Sequence, residues 1–153
     1  MIVFRICKVK SATTAYSGAG GMESSGRWYN KELPIVYAAA SMSLAALEYF
    51  VHLGRRDVKI SLVSVQATIS DTLAVENLGV GVLPANWSIS PPIDATRDLG
   101  TNWCAQGRSA IVRVPSAIIR GEFDYLLNTR HPDFKRMVIA NGEPFSLDVR
   151  LWK

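Results

Sequence analysis

The sequence predicts a single α+β domain built on a mixed or antiparallel sheet. Three observations carry this. The chain has 153 residues, which at roughly 100–200 residues per domain is one domain. Strand signals recur along it, whereas only residues 41–53 repeat their apolar side chains firmly at helical spacing. The composition, 48% hydrophobic and 20% charged, excludes a disordered chain and a coiled coil.

A chain of this length buries roughly 68–70% of its unfolded surface, so it needs no disulfide or metal to fold. Cys7 and Cys104 make neither a disulfide framework nor a zinc site and read as two buried thiols in a reducing cytosol. The 17 Lys+Arg against 13 Asp+Glu leave +4, which suits an anionic small molecule or an acidic protein as well as nucleic acid.

Residues 2–9 are β-rich and carry Arg5 and Lys8, so no signal peptide is expected. Residues 11–26 are rich in Ser, Gly, Thr and Ala and read as a loop of functional length. A short apolar strand follows over residues 33–39. Residues 35–53 approach membrane-spanning length, but Ser41, Ser43, Glu48 and His52 interrupt them, so a soluble cytoplasmic protein is expected.

The helix at 41–53 has Ser41 as N-cap, Ala40, Leu44, Leu47 and Val51 as its stripe, and Gly54, Arg55 and Arg56 as its stop. Residues 58–69 alternate as a strand: Val58, Ile60 and Leu62 oppose Lys59 and Ser61. Val63 shifts the phase, which predicts a bulge. A weaker helix is expected near residues 71–78. Strands are expected at 110–114 and 137–140. A cleanly alternating one is expected at 145–151.

Four residue types suggest chemistry. Glu48 lies on or beside the apolar stripe of its own helix, so it is either paired or lines a cleft. Arg27 leaves a glycine-rich loop in Gly26-Arg27-Trp28; it can grip a phosphate or lie on Trp28 as a cation–π pair. Arg5 is a second phosphate ligand or a surface strand arginine. Tyr37 is a core aromatic or a stacking platform for a flat heterocycle. Ser116, after Val114-Pro115, is a site hydroxyl or a turn residue.

His52 and His131 complete no metal or triad pattern. Gly18-Ala19-Gly20-Gly21 is not a dinucleotide fingerprint, because Glu23 stands where the third glycine belongs. No Walker A, HExxH or CxxC pair occurs, and no basic run interleaved with aromatics marks a nucleic-acid groove.

In order along the chain, Phe4-Arg5, Gly26-Arg27-Trp28 and Pro34 to Tyr37 lead to Ser41-x-x-Leu44-Ala45-x-Leu47-Glu48 and His52-Leu53. Leu83-Pro84-x-x-Trp87, Gly100-Thr101-x-Trp103 and Val114-Pro115-Ser116 come next. Tyr125-Leu126-Leu127-Asn128 and His131-Pro132-Asp133-Phe134 close the series. Together these resemble the RES-domain family, the toxin half of bacterial RES–Xre toxin–antitoxin pairs. The resemblance spans nearly all of residues 1–153.

It implies an ADP-ribosyltransferase-like β core with flanking helices and NAD⁺ as substrate, with no metal. The implied activity is cleavage of the nicotinamide–ribose bond by water or phosphate, or transfer of ADP-ribose to a protein. The implied partner is an Xre-type helix-turn-helix antitoxin covering the active site in a hetero-oligomer. The family's functional arginine, tyrosine, glutamate and serine fall on Arg27, Tyr37, Glu48 and Ser116, with Arg5, Arg27, Tyr37 and Asn128 toward the dinucleotide.

The residues suit that chemistry. Nicotinamide departs neutral and leaves an oxocarbenium-like ribose, which needs a carboxylate nearby, Glu48. The diphosphate needs a cation, Arg27 with Arg5 in support. Nicotinamide needs an aromatic face, Tyr37, and Ser116 can hydrogen-bond it or the adjoining ribose. The competing class is an inert interaction module, binding a protein or weakly binding nucleic acid.

Overall fold

A computed structural model describes residues 1–53 and 60–152, with the backbone alone at residue 80. Among these residues eight strands form one sheet: β1 (Ile2–Lys8), β2 (Ile35–Ala39), β3 (Leu62–Thr68), β4 (Val75–Asn77), β5 (Ile111–Pro115), β6 (Phe123–Asn128), β7 (Val138–Ile139) and β8 (Glu143–Phe145). Their order is β4-β5-β6-β2-β1-β3-β7, with β8 also on β3. Only β4–β5 is parallel; the other pairs are antiparallel. Among the described residues three α-helices accompany the sheet: α1 (Ala19–Glu23), α2 (Met42–Phe50) and α3 (Asp94–Gln106). The α+β architecture with a mixed, mostly antiparallel sheet is the one expected.

Strand alternation sorts the core onto the two faces of the sheet. Val36, Ala38, Tyr125, Leu127 and Ile111 bury into one face with Val3, Val65 and Tyr16. Ile35, Leu126, Val112 and Val114 bury into the other, against Trp28 and Trp103. Beside them Ile6, Ala39 and Leu62 receive Leu44 and Ala45 of α2. The second face is therefore shared by α2 at one end and by α3 with the Trp28 segment at the other.

Helix α2 starts as predicted. The Ser41 hydroxyl accepts the Leu44 amide N–H at 3.1 Å, removing one of the helix's unpaired donors. The helix ends at Phe50, with Val51 as C-cap, short of the expected end at residue 53. The expected stop residues Gly54, Arg55 and Arg56 lie outside the described residues, as do Val58 and Lys59. The stretch 35–53 is a strand plus a helix, and no described helix is long and apolar enough to cross a membrane.

Several expectations are corrected. The loop at 11–26 contains a 3₁₀ turn, Val9–Thr14, and helix α1. Gly18 starts α1 at φ +80°, where a side chain would be strained.

There is no bulge at Val63. The β1–β3 register runs unbroken from Ile2↔Thr68 to Lys8↔Leu62. Leu62 and Val63 are adjacent buried residues because the sheet is covered on both faces there, one joining each core.

Residues 71–78 hold β4 and turns rather than a helix. Residues 145–151 alternate, but only Phe145 pairs, in β8, and Val149–Trp152 form a 3₁₀ turn with Val149 69% exposed. Helix α3 and strand β6 were not expected. Cys7 is buried and Cys104 half-buried, both free thiols.

Candidate functional site

The site is built where α2 meets the ends of β2, β5 and β6. Ala39 pairs with Asp124, and Tyr37 with Leu126. Tyr37 and Asp124 are thus diagonal neighbours on one face, within reach of a long side chain. The Tyr37 hydroxyl donates to Asp124 Oδ2 at 2.8 Å. On the other flank Val114 pairs with Asp124, and the Ser116 N–H donates to the Glu122 carbonyl at 2.9 Å. This extends the ladder one step past β5. The Ser116 hydroxyl donates to Glu48 Oε1 at 3.3 Å while accepting the N–H groups of Ile118 and Ile119. Ser116 is therefore both a turn residue and a site hydroxyl.

Glu48 is half-buried on α2; of the expected stripe only Leu44 is buried and Leu47 half-buried, while Ala40 and Val51 are exposed and Ala45 is buried instead. Glu48 lies within hydrogen-bonding reach of Asp124. A third acid, Glu122, accepts the Ser41 hydroxyl at 3.2 Å. Burial, then the negative charge of Glu48, pushes the Asp124 carboxyl up to about 9, while the Tyr37 hydrogen bond pulls the other way and Glu122 adds to the rise. Burial, then Asp124 and Glu48, holds the Tyr37 phenol well above its ordinary value, opposed by the Arg27 cation.

Arg27 is fixed by backbone. Its Nη1 donates to the Trp87 carbonyl at 3.0 Å and the Ile89 carbonyl at 2.8 Å. Trp28 does not serve as its cation–π partner; it stacks on Trp87 with centroids 5.5 Å apart. Helix α3 clamps this segment. Thr101 Oγ1 accepts the Asn30 N–H at 3.0 Å, and Asn30 Nδ2 donates to Asp98 at 3.1 Å. Gly100 lies so close that a Cβ there would stand 1.9 Å from the Trp28 carbonyl oxygen. Arg5 crosses from β1 and donates to the Tyr37 carbonyl at 2.6 Å.

The Tyr37–Asp124 and Ser116–Glu48 hydrogen bonds thus lie side by side, with Glu48 within reach of Asp124, Arg27 close enough to act on Tyr37 and Arg5 bound to the Tyr37 backbone. Asn128 stands apart. It is four residues along β6 from Asp124, roughly 13 Å at strand rise. Its amide donates to the Cys104 carbonyl and its carbonyl accepts the Arg130 N–H. His131 Nδ1 accepts the Asp133 N–H, a local cap. Two surface concavities, of about 100 and 280 Å³, are lined by none of Arg27, Tyr37, Glu48 or Ser116.

Sequence reasoning missed Asp124. The available signal was a lone acid in the apolar run Phe123-Asp124-Tyr125-Leu126-Leu127.

Residues 2–148 match the RES domain. The chain belongs to the RES-domain family. Toxin Res of Photorhabdus laumondii is 32% identical to this RES domain over 154 residues, covering 100% of this chain and 98% of that protein. Toxin Res of Pseudomonas putida is 36% identical over 154 residues, covering 99% and 100%. Prs ADP-ribosylating toxin of a Sphingobium species is 36% identical over 137 residues, covering 88% and 85%. The fold is similar to that of one chain in the crystal structure of the M. tuberculosis MbcT–MbcA toxin–antitoxin complex. The TM-score is 0.74 at 15% identity, covering 99% of this RES domain and 86% of that chain.

Proposed function

We propose that this RES domain is the toxin of a toxin–antitoxin pair and depletes NAD⁺ by cleaving its nicotinamide–ribose bond. The observation that carries the proposal is the shared group of Glu48, Ser116 and Tyr37, with the Arg27 cation acting on it. The names of the relatives support the toxin role, and these residues fit the substrate. Arg27 and Arg5 hold the diphosphate, and the half-buried Tyr37 ring faces nicotinamide. The Glu48 carboxylate offsets the positive charge that the ribose develops as the C–N bond breaks. Nicotinamide leaves with the bonding pair and needs no proton. Water or phosphate then adds to the ribose carbon and releases a proton to solvent.

The second reading is transfer of ADP-ribose to a protein side chain. The 36%-identical relative named as an ADP-ribosylating toxin favours it. The partner under either reading is an Xre-type helix-turn-helix antitoxin that covers the site, and the compartment is the cytoplasm.

Incubating the purified chain with adenine-labelled NAD⁺ and cell lysate tests both. Free nicotinamide with soluble labelled product supports degradation. A labelled protein band supports transfer, and intact NAD⁺ overturns the enzymatic proposal.

A further inference from the structure

We propose that Asp124 is a positioning residue for Glu48: held as a neutral acid, it donates the hydrogen bond that fixes the Glu48 carboxylate. The proposal rests on the NAD⁺-cleaving reading of Glu48 given above and extends it to a residue outside the four expected ones.

The argument begins with burial. Asp124 is 0% exposed, in the middle of the sheet between Ala39 and Val114. One of its oxygens, Oδ2, accepts the Tyr37 hydroxyl. The other, Oδ1, is buried and receives no hydrogen bond from any described group. The carboxyl nevertheless lies within hydrogen-bonding reach of Glu48.

Two carboxyl groups this close need a proton between them, because two like charges in a dry site repel and the buried Oδ1 of Asp124 would otherwise have no partner. Burial decides which group carries it. Glu48 is half-buried and keeps access to water, whereas Asp124 has none.

The side chains acting on Asp124 agree except one. From α2 comes Glu48, and from the turn before β6 comes Glu122; both acids favour the neutral form of Asp124. From β2, Tyr37 donates and so favours the ionised form, an influence smaller than burial and the Glu48 charge but larger than that of Glu122. Arg27 acts on Tyr37.

Glu48 then has two donors from outside its own helix, Ser116 after β5 and Asp124 on β6. They tie a flexible side chain to the rigid sheet and restrict its rotamers before substrate arrives. Asp124 touches no reacting atom in this scheme; it acts through Glu48.

Asp124→Asn and Asp124→Ala separate the possibilities, read by nicotinamide release from NAD⁺ with folding checked by circular dichroism. Asparagine keeps both a donor and an acceptor, so its rate should stay within about tenfold of the parent; alanine should lose about 100-fold through a loose Glu48. The parent's rate should fall as pH rises through about 9, where Asp124 loses its proton, and Asp124→Asn should lack that fall. The proposal is overturned if Asp124→Asn is folded yet as inactive as Glu48→Gln, if Asp124→Ala keeps the parent rate, or if the alkaline fall persists in Asp124→Asn.

Carbon-13 NMR of labelled aspartate carboxyls in the full chain reads the proton without any substrate. A protonated carboxyl at neutral pH that vanishes in Asp124→Asn supports the proposal, and its absence overturns it. That measurement stands if alanine fails to fold. A parent that leaves NAD⁺ intact would sink the functional reading alone, leaving this NMR result to decide the state of Asp124.

Discussion

Replacing Gly100 by alanine probes how α3 holds the Arg27-Trp28 segment. In an open helix interior this change stabilises by about 1 kcal/mol. Here the added Cβ would stand 1.9 Å from the Trp28 carbonyl oxygen and 3.0 Å from its carbon. The obstacle is backbone, and Trp28 is 0% exposed and stacked on Trp87, so it cannot swing aside as a side-chain tip would. Overpacking of this kind costs roughly 1–3 kcal/mol. Taking the upper end and subtracting the propensity gain leaves a loss of about 2 kcal/mol. At roughly 2–4 °C per kcal/mol for a chain of this size, Tm falls by about 4–8 °C.

The assay is thermal unfolding followed by circular dichroism, with Gly79→Ala as control. A Cβ at Gly79 meets nothing within 4 Å, so that variant should match the parent to within about 1 kcal/mol. If Gly100→Ala melted at or above the parent temperature, the close seat of α3 on Trp28 would be refuted.

Two further outcomes follow from the same geometry. Ser41→Ala removes the side-chain cap of α2 and the hydrogen bond to Glu122, and should cost about 1 kcal/mol, read as a Tm lower by roughly 2–4 °C. Asp124 is pushed from an unfolded value near 4 up to about 9 in the folded chain. Its contribution to stability is therefore complete below pH about 4 and is lost as pH rises through about 9. Asp124→Asn does not titrate, so its Tm advantage over the parent should widen from pH about 4 to about 9; a difference that stays flat across that window would contradict the neutral buried acid.

The helix start was legible because Ser41 caps α2 as its sequence position suggests, but the stripe was only half right: Leu44 is buried, whereas Ala40 and Val51 are exposed and the helix ends at Phe50. Leu44 and Glu48, four residues apart, do share one side of the helix, with Leu44 buried and Glu48 half-buried. Helix α3 was hidden. Its N-cap, Ile93, makes no side-chain cap, and Gly100 sits in its middle for a reason that lies in another segment, the Trp28 backbone. The alternation at 145–151 is real in sequence. A strand also needs a neighbour to complete its hydrogen bonds, and after Phe145 the chain turns into Val149–Trp152.

Asp124 shows the limit most clearly. An acid in a strand reads as solvent-facing, and only the cross-strand partners Ala39 and Val114, with Tyr37 diagonal to it, reveal a buried one. Asn128 shares a segment with Asp124, yet its place at the far end of β6 separates it from Glu48 by strand length alone.

Glu48→Gln is the most direct probe of the central claim, that this carboxylate supports departure of nicotinamide. The substitution keeps size and an acceptor for Ser116 but removes the negative charge beside the ribose. With NAD⁺ in excess, free nicotinamide is quantified chromatographically for parent and variant at equal folded concentration. The account predicts a rate about 100–1,000-fold lower, the scale on which one electrostatic stabiliser is lost. A folded Glu48→Gln protein releasing nicotinamide at the parent rate would contradict it.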